Sequence, residues 1–155
     1  MKAEILDHYG RQFKTLDSLF DKVNDEAWCH EDQRLKSVWQ WMTHTLKTIE
    51  FYMGDRPPGE FGFGYRFEFD WEQPEPAKIP TMDEMKQYLI DIRGNTFRVL
   101  ESMSEDDFAA AETVHKWTGA TYGAKMLYLL RHTQQHVGDM NRVLAMCGCE
   151  SMVWH

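Results

Sequence analysis

Apolar side chains recur at steps of three and four residues in four long segments of this chain, a spacing that favours amphipathic α-helices. The segments cover residues 3–24, 35–53, 82–103 and about 122–147. Thr81 and Glu84 form a capping-box pattern before the third segment, and Thr121 precedes the last, which stops at Gly148. At 155 residues, the chain is expected to form one domain over residues 1–155.

The second helical segment is apolar on nearly all sides. Only a narrow sector suits contact with water: Lys36, Gln40, Thr43, Lys47 and Glu50. A helix of this kind is buried on more than one side. His44 lies at the edge of its second apolar surface, where a ligand in a semi-enclosed pocket would be placed. Trp41 and Tyr52 are candidates to line that pocket, with core or interface packing as the alternative.

Residues 54–80 separate the second and third helical segments and contain all five prolines, so they cannot form a continuous helix. Six aromatic residues occupy alternate positions: Phe61, Phe63, Tyr65, Phe67, Phe69 and Trp71. An extended chain would place these rings on one face. We predict a long crossover with a short β-hairpin or extended segment. It would cover the bundle or its pocket, lie at a subunit interface, or simply shield apolar helix surface.

The net charge of −8 disfavours binding to nucleic acids and to anionic membranes, because both need a basic surface. No signal peptide is visible and no apolar run approaches the roughly 20 residues of a membrane-spanning helix, so a cytoplasmic location is expected. Three cysteines do not make a disulfide framework. The Cys147-Gly-Cys149 spacing fits neither a zinc knuckle nor a thioredoxin-like motif, and we interpret these thiols as incidental.

His132 and His136 lie four residues apart in the last helical segment, so their imidazoles project from one face. This spacing suits binding of one divalent metal ion, but it also arises by chance. A zincin mechanism is excluded because Thr133 stands where that motif requires glutamate. His44 is the candidate third ligand. Asp139 shares the histidine face and is a candidate to orient an imidazole, accept a proton or ligate, with a solvent-facing aspartate as the alternative.

Three features resemble the DinB-like (YfiT-like) four-helix-bundle metalloproteins. Residues 37–44 (SVWQWMTH) resemble the second-helix segment of that family with its single metal histidine. Residues 128–138 (YLLRHTQQHVG) resemble its last-helix motif, a histidine pair followed by glycine. The order of elements is similar over the whole chain. The resemblance implies an all-α four-helix bundle with a long crossover between helices 2 and 3, and a metal site of His44, His132 and His136.

The resemblance also implies a function. Three neutral imidazoles leave water at open positions of a dicationic centre, which is a catalytic pattern. Zinc or nickel is the expected metal, with iron or copper also suitable. The expected activity is thiol transfer or isomerisation with a low-molecular-weight thiol, or hydrolysis, on a small-molecule substrate. Metal-bound water would be the catalytic group, with Asp139 beside it. The alternative is a non-catalytic metal- or ligand-binding stress-response protein. A homodimer is expected.

Overall fold

A computed structural model of the protein describes residues 1–30, 35–54 and 79–155. Most of the proline-rich segment of residues 54–80, with its predicted hairpin, therefore lies outside the described residues. No helix within the described ranges is long and apolar enough to cross a membrane. The expected cytoplasmic location and the expected homodimer stay predictions.

Six α-helices occupy the described ranges. They are α1 (Lys2–Asp17), α2 (Asp25–Trp28), α3 (Val38–Met53), α4 (Met82–Ser102), α5 (Glu105–Ala109) and α6 (Tyr122–Met146). Short 3-10 helices, Ser18–Asp21 and Lys116–Thr118, follow α1 and precede α6. Among the four long helices, α1 and α3 each pack against both α4 and α6. This arrangement confirms the predicted all-α four-helix bundle.

Local hydrogen bonds set the helix boundaries. The Thr81 hydroxyl accepts a hydrogen bond from the Glu84 backbone at 3.2 Å, and the Glu84 carboxylate accepts one from the Thr81 backbone at 2.8 Å. The Thr121 hydroxyl caps α6 in the same way, by accepting from a backbone amide of its first turn. Helix α6 ends before Gly148, whose φ of +69° favours a residue without a side chain. These three predicted boundaries are confirmed.

The hydrophobic core lies between the four long helices. Its fully buried members include Tyr9, Phe13, Leu16, Met42, Leu46, Leu89, Met126, Met140 and Leu144. The water-facing sector predicted for α3 was wrong at two of its five positions, because Thr43 is 0 % and Lys47 only 5 % exposed, whereas Lys36, Gln40 and Glu50 are partly exposed. Thr43 is tolerated there since its hydroxyl donates to the carbonyl of Trp39 at 2.7 Å. Helix α3, packed between α4 and α6, is thus more deeply buried than its polar residues indicate.

A buried ion pair secures the connection between α5 and α6. The Lys125 Nζ atom lies 2.8 Å from Glu112 Oε2, and Lys125 is fully buried. Glu112 Oε1 accepts hydrogen bonds from the backbone amides of Val114 and His115, both at 2.7 Å. Burial alone would raise the pKa of the Glu112 carboxyl, but the Lys125 ammonium and the two amides hold it below its usual value. The pair ties this connection to the first turn of α6.

Candidate metal centre

Helices α3 and α6 bring three imidazoles together, with their ring planes tilted or nearly perpendicular to one another. The Nε2 atom of His132 lies 3.3 Å from that of His44 and 3.2 Å from that of His136. One ring nitrogen from each residue lies within 4.8 Å of the other two. The structure therefore brings together the three histidines that were singled out in the sequence, although His44 and His132 are 88 residues apart.

The spacing of the nitrogens fits a shared metal ion. An ion bound by imidazoles at about 2.0–2.1 Å in tetrahedral geometry separates its ligand nitrogens by about 3.3–3.4 Å. The two Nε2 separations of 3.2 and 3.3 Å are close to that value. The Nε2 atoms of His44 and His136 therefore each lie about as far from Nε2 of His132 as two ligands of one ion would. The donor set and its geometry are thus compatible with metal binding.

Asp139 fixes the orientation of one imidazole. Its Oδ2 atom lies 2.9 Å from Nδ1 of His136, one turn earlier on α6. Because an ionised carboxylate can only accept a hydrogen bond, Nδ1 of His136 is the donor in this contact. The Nε2 lone pair of His136 is therefore directed at the other two histidines. This is the contact that the imidazole-orienting role considered for Asp139 would use, and it resembles the carboxylate–histidine pairs found at metal sites.

Burial keeps two of the imidazoles neutral. Desolvation, together with the neighbouring His136 and His132, lowers the pKa of His44 from 6.5 to about 3. Desolvation and the adjacent His136 likewise lower the pKa of His132 to about 4. Both rings are therefore uncharged at neutral pH. Neither ring would have to lose a proton before it could bind a metal ion.

Aromatic rings pack around the histidines. The Trp41 indole stacks on His136 with ring centroids 4.7 Å apart and planes 21° apart, and its ring also meets the edge of His44 at 6.3 Å. Tyr128 stacks on His132 at 6.2 Å and 24°. Tyr52 is buried against Tyr128 at 5.6 Å instead of lying against the histidines. Of the two aromatic candidates beside His44, Trp41 touches the site directly and Tyr52 supports it through Tyr128.

A surface cleft of about 440 Å³ borders the histidine cluster. Its lining residues within the described ranges all belong to α6: Tyr128, Arg131, His132, Gln134 and Gln135. His132 is thus part of the cleft wall as well as of the cluster. Sequence reasoning missed Tyr128 and Arg131 as site residues. The sequence indicated them only by position, since Tyr128 lies four residues and Arg131 one residue before His132 on the same helix.

Comparison with known proteins bears on family membership. A family model of the DinB superfamily matches residues 8–140, well over half of the chain. The matched range includes the histidines of α3 and α6 and most of the four long helices. No curated protein and no solved structure matches the chain. The extent of the family match and the four-helix bundle lead to one conclusion. The chain belongs to the DinB superfamily.

Proposed function

We propose that His44, His132 and His136 hold a divalent metal ion, and that the protein is a metal-dependent enzyme acting on a small molecule. The observation that carries this proposal is the convergence of three imidazole nitrogens at the wall of a cleft. Three protein ligands leave at least one coordination position for a substrate or for water, as in catalytic metal sites. Structural metal sites, in contrast, are usually closed by four protein ligands.

The ligand set supports a transition metal. Imidazole suits zinc, nickel, iron and copper, whereas magnesium and calcium prefer oxygen ligands. We propose zinc or nickel. When bound, such an ion supplies Lewis-acid chemistry to a thiol, a carbonyl group or water. Such chemistry would serve the reactions that the family resemblance implies, namely thiol transfer or isomerisation with a low-molecular-weight thiol, or hydrolysis.

The residues of the chain prepare the site for this role. His44 and His132 offer uncharged rings because burial lowers their pKa. Asp139 holds His136 in the tautomer whose Nε2 faces the cluster. Trp41 covers one face of the His136 ring and keeps water from it. The remaining side of the cluster is at His132, where the cleft gives access to a small molecule.

Metal analysis of purified variants tests the site. We expect about one transition-metal ion per wild-type chain, and a strong loss of metal from His136→Ala, because two imidazoles bind far more weakly than three. His8→Ala is the matched control, since His8 is exposed on α1 and away from the cluster. His44→Asn provides a second variant should His136→Ala fold poorly. Equal metal content in the wild type and in both site variants would refute the proposed ligands.

The enzymatic part of the proposal needs a separate experiment. Thiol-transfer and ester or amide hydrolysis assays would be run on wild-type protein before and after chelator treatment, and again after zinc or nickel is restored. We expect activity that the chelator abolishes and the metal restores. Activity that is insensitive to the chelator would refute the metal mechanism. A metal-loaded protein inactive in every assay would favour a non-catalytic binding role.

A further inference from the structure

The cleft beside His132 carries one positively charged side chain among its described lining residues. Arg131 is that residue, and the other members are a tyrosine, two glutamines and the neutral His132. The guanidinium carbon of Arg131 lies 5.6 Å from the centre of the Tyr128 ring. The same ring stacks on His132 at 6.2 Å. Arg131, Tyr128 and His132 thus form one continuous wall from the cleft to the histidine cluster.

Arg131 forms no ion pair with any residue in the described ranges. Two other cations of these ranges do form one: Arg11 lies 2.8 Å from Asp7, and Lys125 lies 2.8 Å from Glu112. Within those ranges, the Arg131 guanidinium is placed by its contact with the Tyr128 ring. A guanidinium placed by an aromatic face keeps its N–H donors available to a ligand.

We propose that Arg131 makes this cleft a binding site for a small molecule that carries a carboxylate, with the opposite end of the molecule directed at the histidine cluster. This inference rests on the metal-dependent function proposed above. Arginine binds carboxylates through paired, charge-assisted hydrogen bonds. The amides of Gln134 and Gln135 add neutral donors along the same wall. The cleft volume of about 440 Å³ lies within the range of small-molecule sites, roughly 300–1,000 Å³.

The charge of the site favours this ligand class. Three imidazole ligands carry no negative charge to offset the two positive charges of a bound ion, and the Asp139 carboxylate beside His136 offsets only one of them. Arg131 adds a further positive charge, so the region around the site is net positive. This positive region lies on a protein whose formal net charge is −8, so an anionic ligand is guided to the cleft and repelled by much of the remaining surface. A cationic ligand of the same size would bind less tightly in the cleft.

Cobalt(II)-loaded protein offers a direct test, because the visible spectrum of cobalt reports ligand binding without turnover. The probes are 3-mercaptopropionate and its uncharged analogue 3-mercaptopropionamide, which share a thiol and differ in charge. We expect the wild type to bind the carboxylate about 10-fold or more tightly than the amide. Arg131→Gln should bring that ratio close to one by weakening the carboxylate alone, and Arg131→Lys should restore part of it.

The control is Arg142→Gln, an exposed arginine about 16 Å further along α6 that should leave the ratio unchanged. A cobalt spectrum with the same carboxylate preference in the wild type and in Arg131→Gln would overturn the role of Arg131 and leave the metal centre standing. Absence of a cobalt spectrum in the wild type would overturn the metal centre and this inference with it.

Discussion

Three contacts converge on His136. Trp41 stacks on one face of the ring, Asp139 holds its Nδ1 atom, and its Nε2 atom is 3.2 Å from His132. The residue is only 5 % exposed. Among the described residues, Nδ1 of His132 has no hydrogen-bond partner. The two histidines of α6 are therefore unequal: His136 is held in position before any ligand arrives, and His132 borders the cleft.

Asp139 gives a prediction at the scale of one residue. Asp139→Ala should lower metal affinity by about 10–100-fold, because His136 loses the acceptor that fixes its ring and tautomer. Competition with a chromophoric chelator measures this affinity. Asp139→Asn should lose less, since its amide oxygen still accepts a hydrogen bond. If Asp139→Ala binds metal as tightly as the wild type, Asp139 is an ordinary surface residue.

The residues of the site were predictable to different degrees. The relation between His132, His136 and Asp139 follows from helix periodicity, because residues three and four apart share a face. The contribution of His44 depended on resemblance to a family, since nothing local connects α3 with α6. The placement of Arg131 was not predictable. Its position over Tyr128 depends on side-chain rotamers and on which surface of α6 the bundle leaves exposed.

At the scale of helices and loops, features set by neighbouring residues were predictable, and features set by distant parts of the chain were not. Helix ends at Thr81, Thr121 and Gly148 were correctly predicted because the hydrogen bonds and backbone angles involved lie within a few residues. The burial of Thr43 and Lys47 was not predicted, because it depends on helices from distant parts of the sequence that pack against α3. Polar residues on a helix thus indicate a solvent face only where no other element covers it.

The buried ion pair of the α5–α6 connection gives a prediction at this scale. Lys125→Met should destabilise the protein by about 3–5 kcal/mol, because it leaves the Glu112 carboxylate buried without its cation. Urea unfolding measures this loss. Lys116→Met, an exposed lysine of the same connection, is the control and should change stability by less than about 0.5 kcal/mol.

A double variant distinguishes the cost of an unpaired buried charge from the cost of changed packing at the Lys125–Glu112 pair. Lys125→Met combined with Glu112→Leu should recover much of the lost stability, since no unpaired charge remains in the core. If Lys125→Met alone is no more destabilising than Lys116→Met, the ion pair contributes nothing to the fold.

At the scale of the molecule, the site is also a source of acid sensitivity. His44 and His132 have folded pKa values of about 3 and 4, below the unfolded value of 6.5. The unfolded chain therefore takes up protons first as the pH falls. Stability of the metal-free protein should be complete above about pH 6.5 and should decline between pH 6.5 and 4.

Urea unfolding of metal-free protein at pH 7, 6, 5 and 4.5 measures this decline. His44→Gln should flatten it, because glutamine takes up no proton in either state. His8→Gln, on the exposed side of α1, should leave it unchanged. An identical decline in the wild type and in His44→Gln would show that other groups cause the acid sensitivity.

The bundle itself was predictable because four amphipathic segments of similar length need one another to bury their apolar stripes. Which helices pack against one another was harder to predict. That α3 lies between α4 and α6, with α1 against the same two helices, is a consequence of three-dimensional packing that the separate stripes do not specify. This arrangement is what brings His44 to the histidine pair.

The stacking of Trp41 on His136 also has an optical consequence. Because the Trp41 indole lies against the His136 imidazole, we expect its fluorescence emission to change when the charge on that ring changes. Among the tryptophans that the structure describes, Trp41 has this contact with the histidine cluster. The packing that shields His136 from water therefore also supplies an intrinsic fluorescent label beside the site, without any chemical modification of the protein.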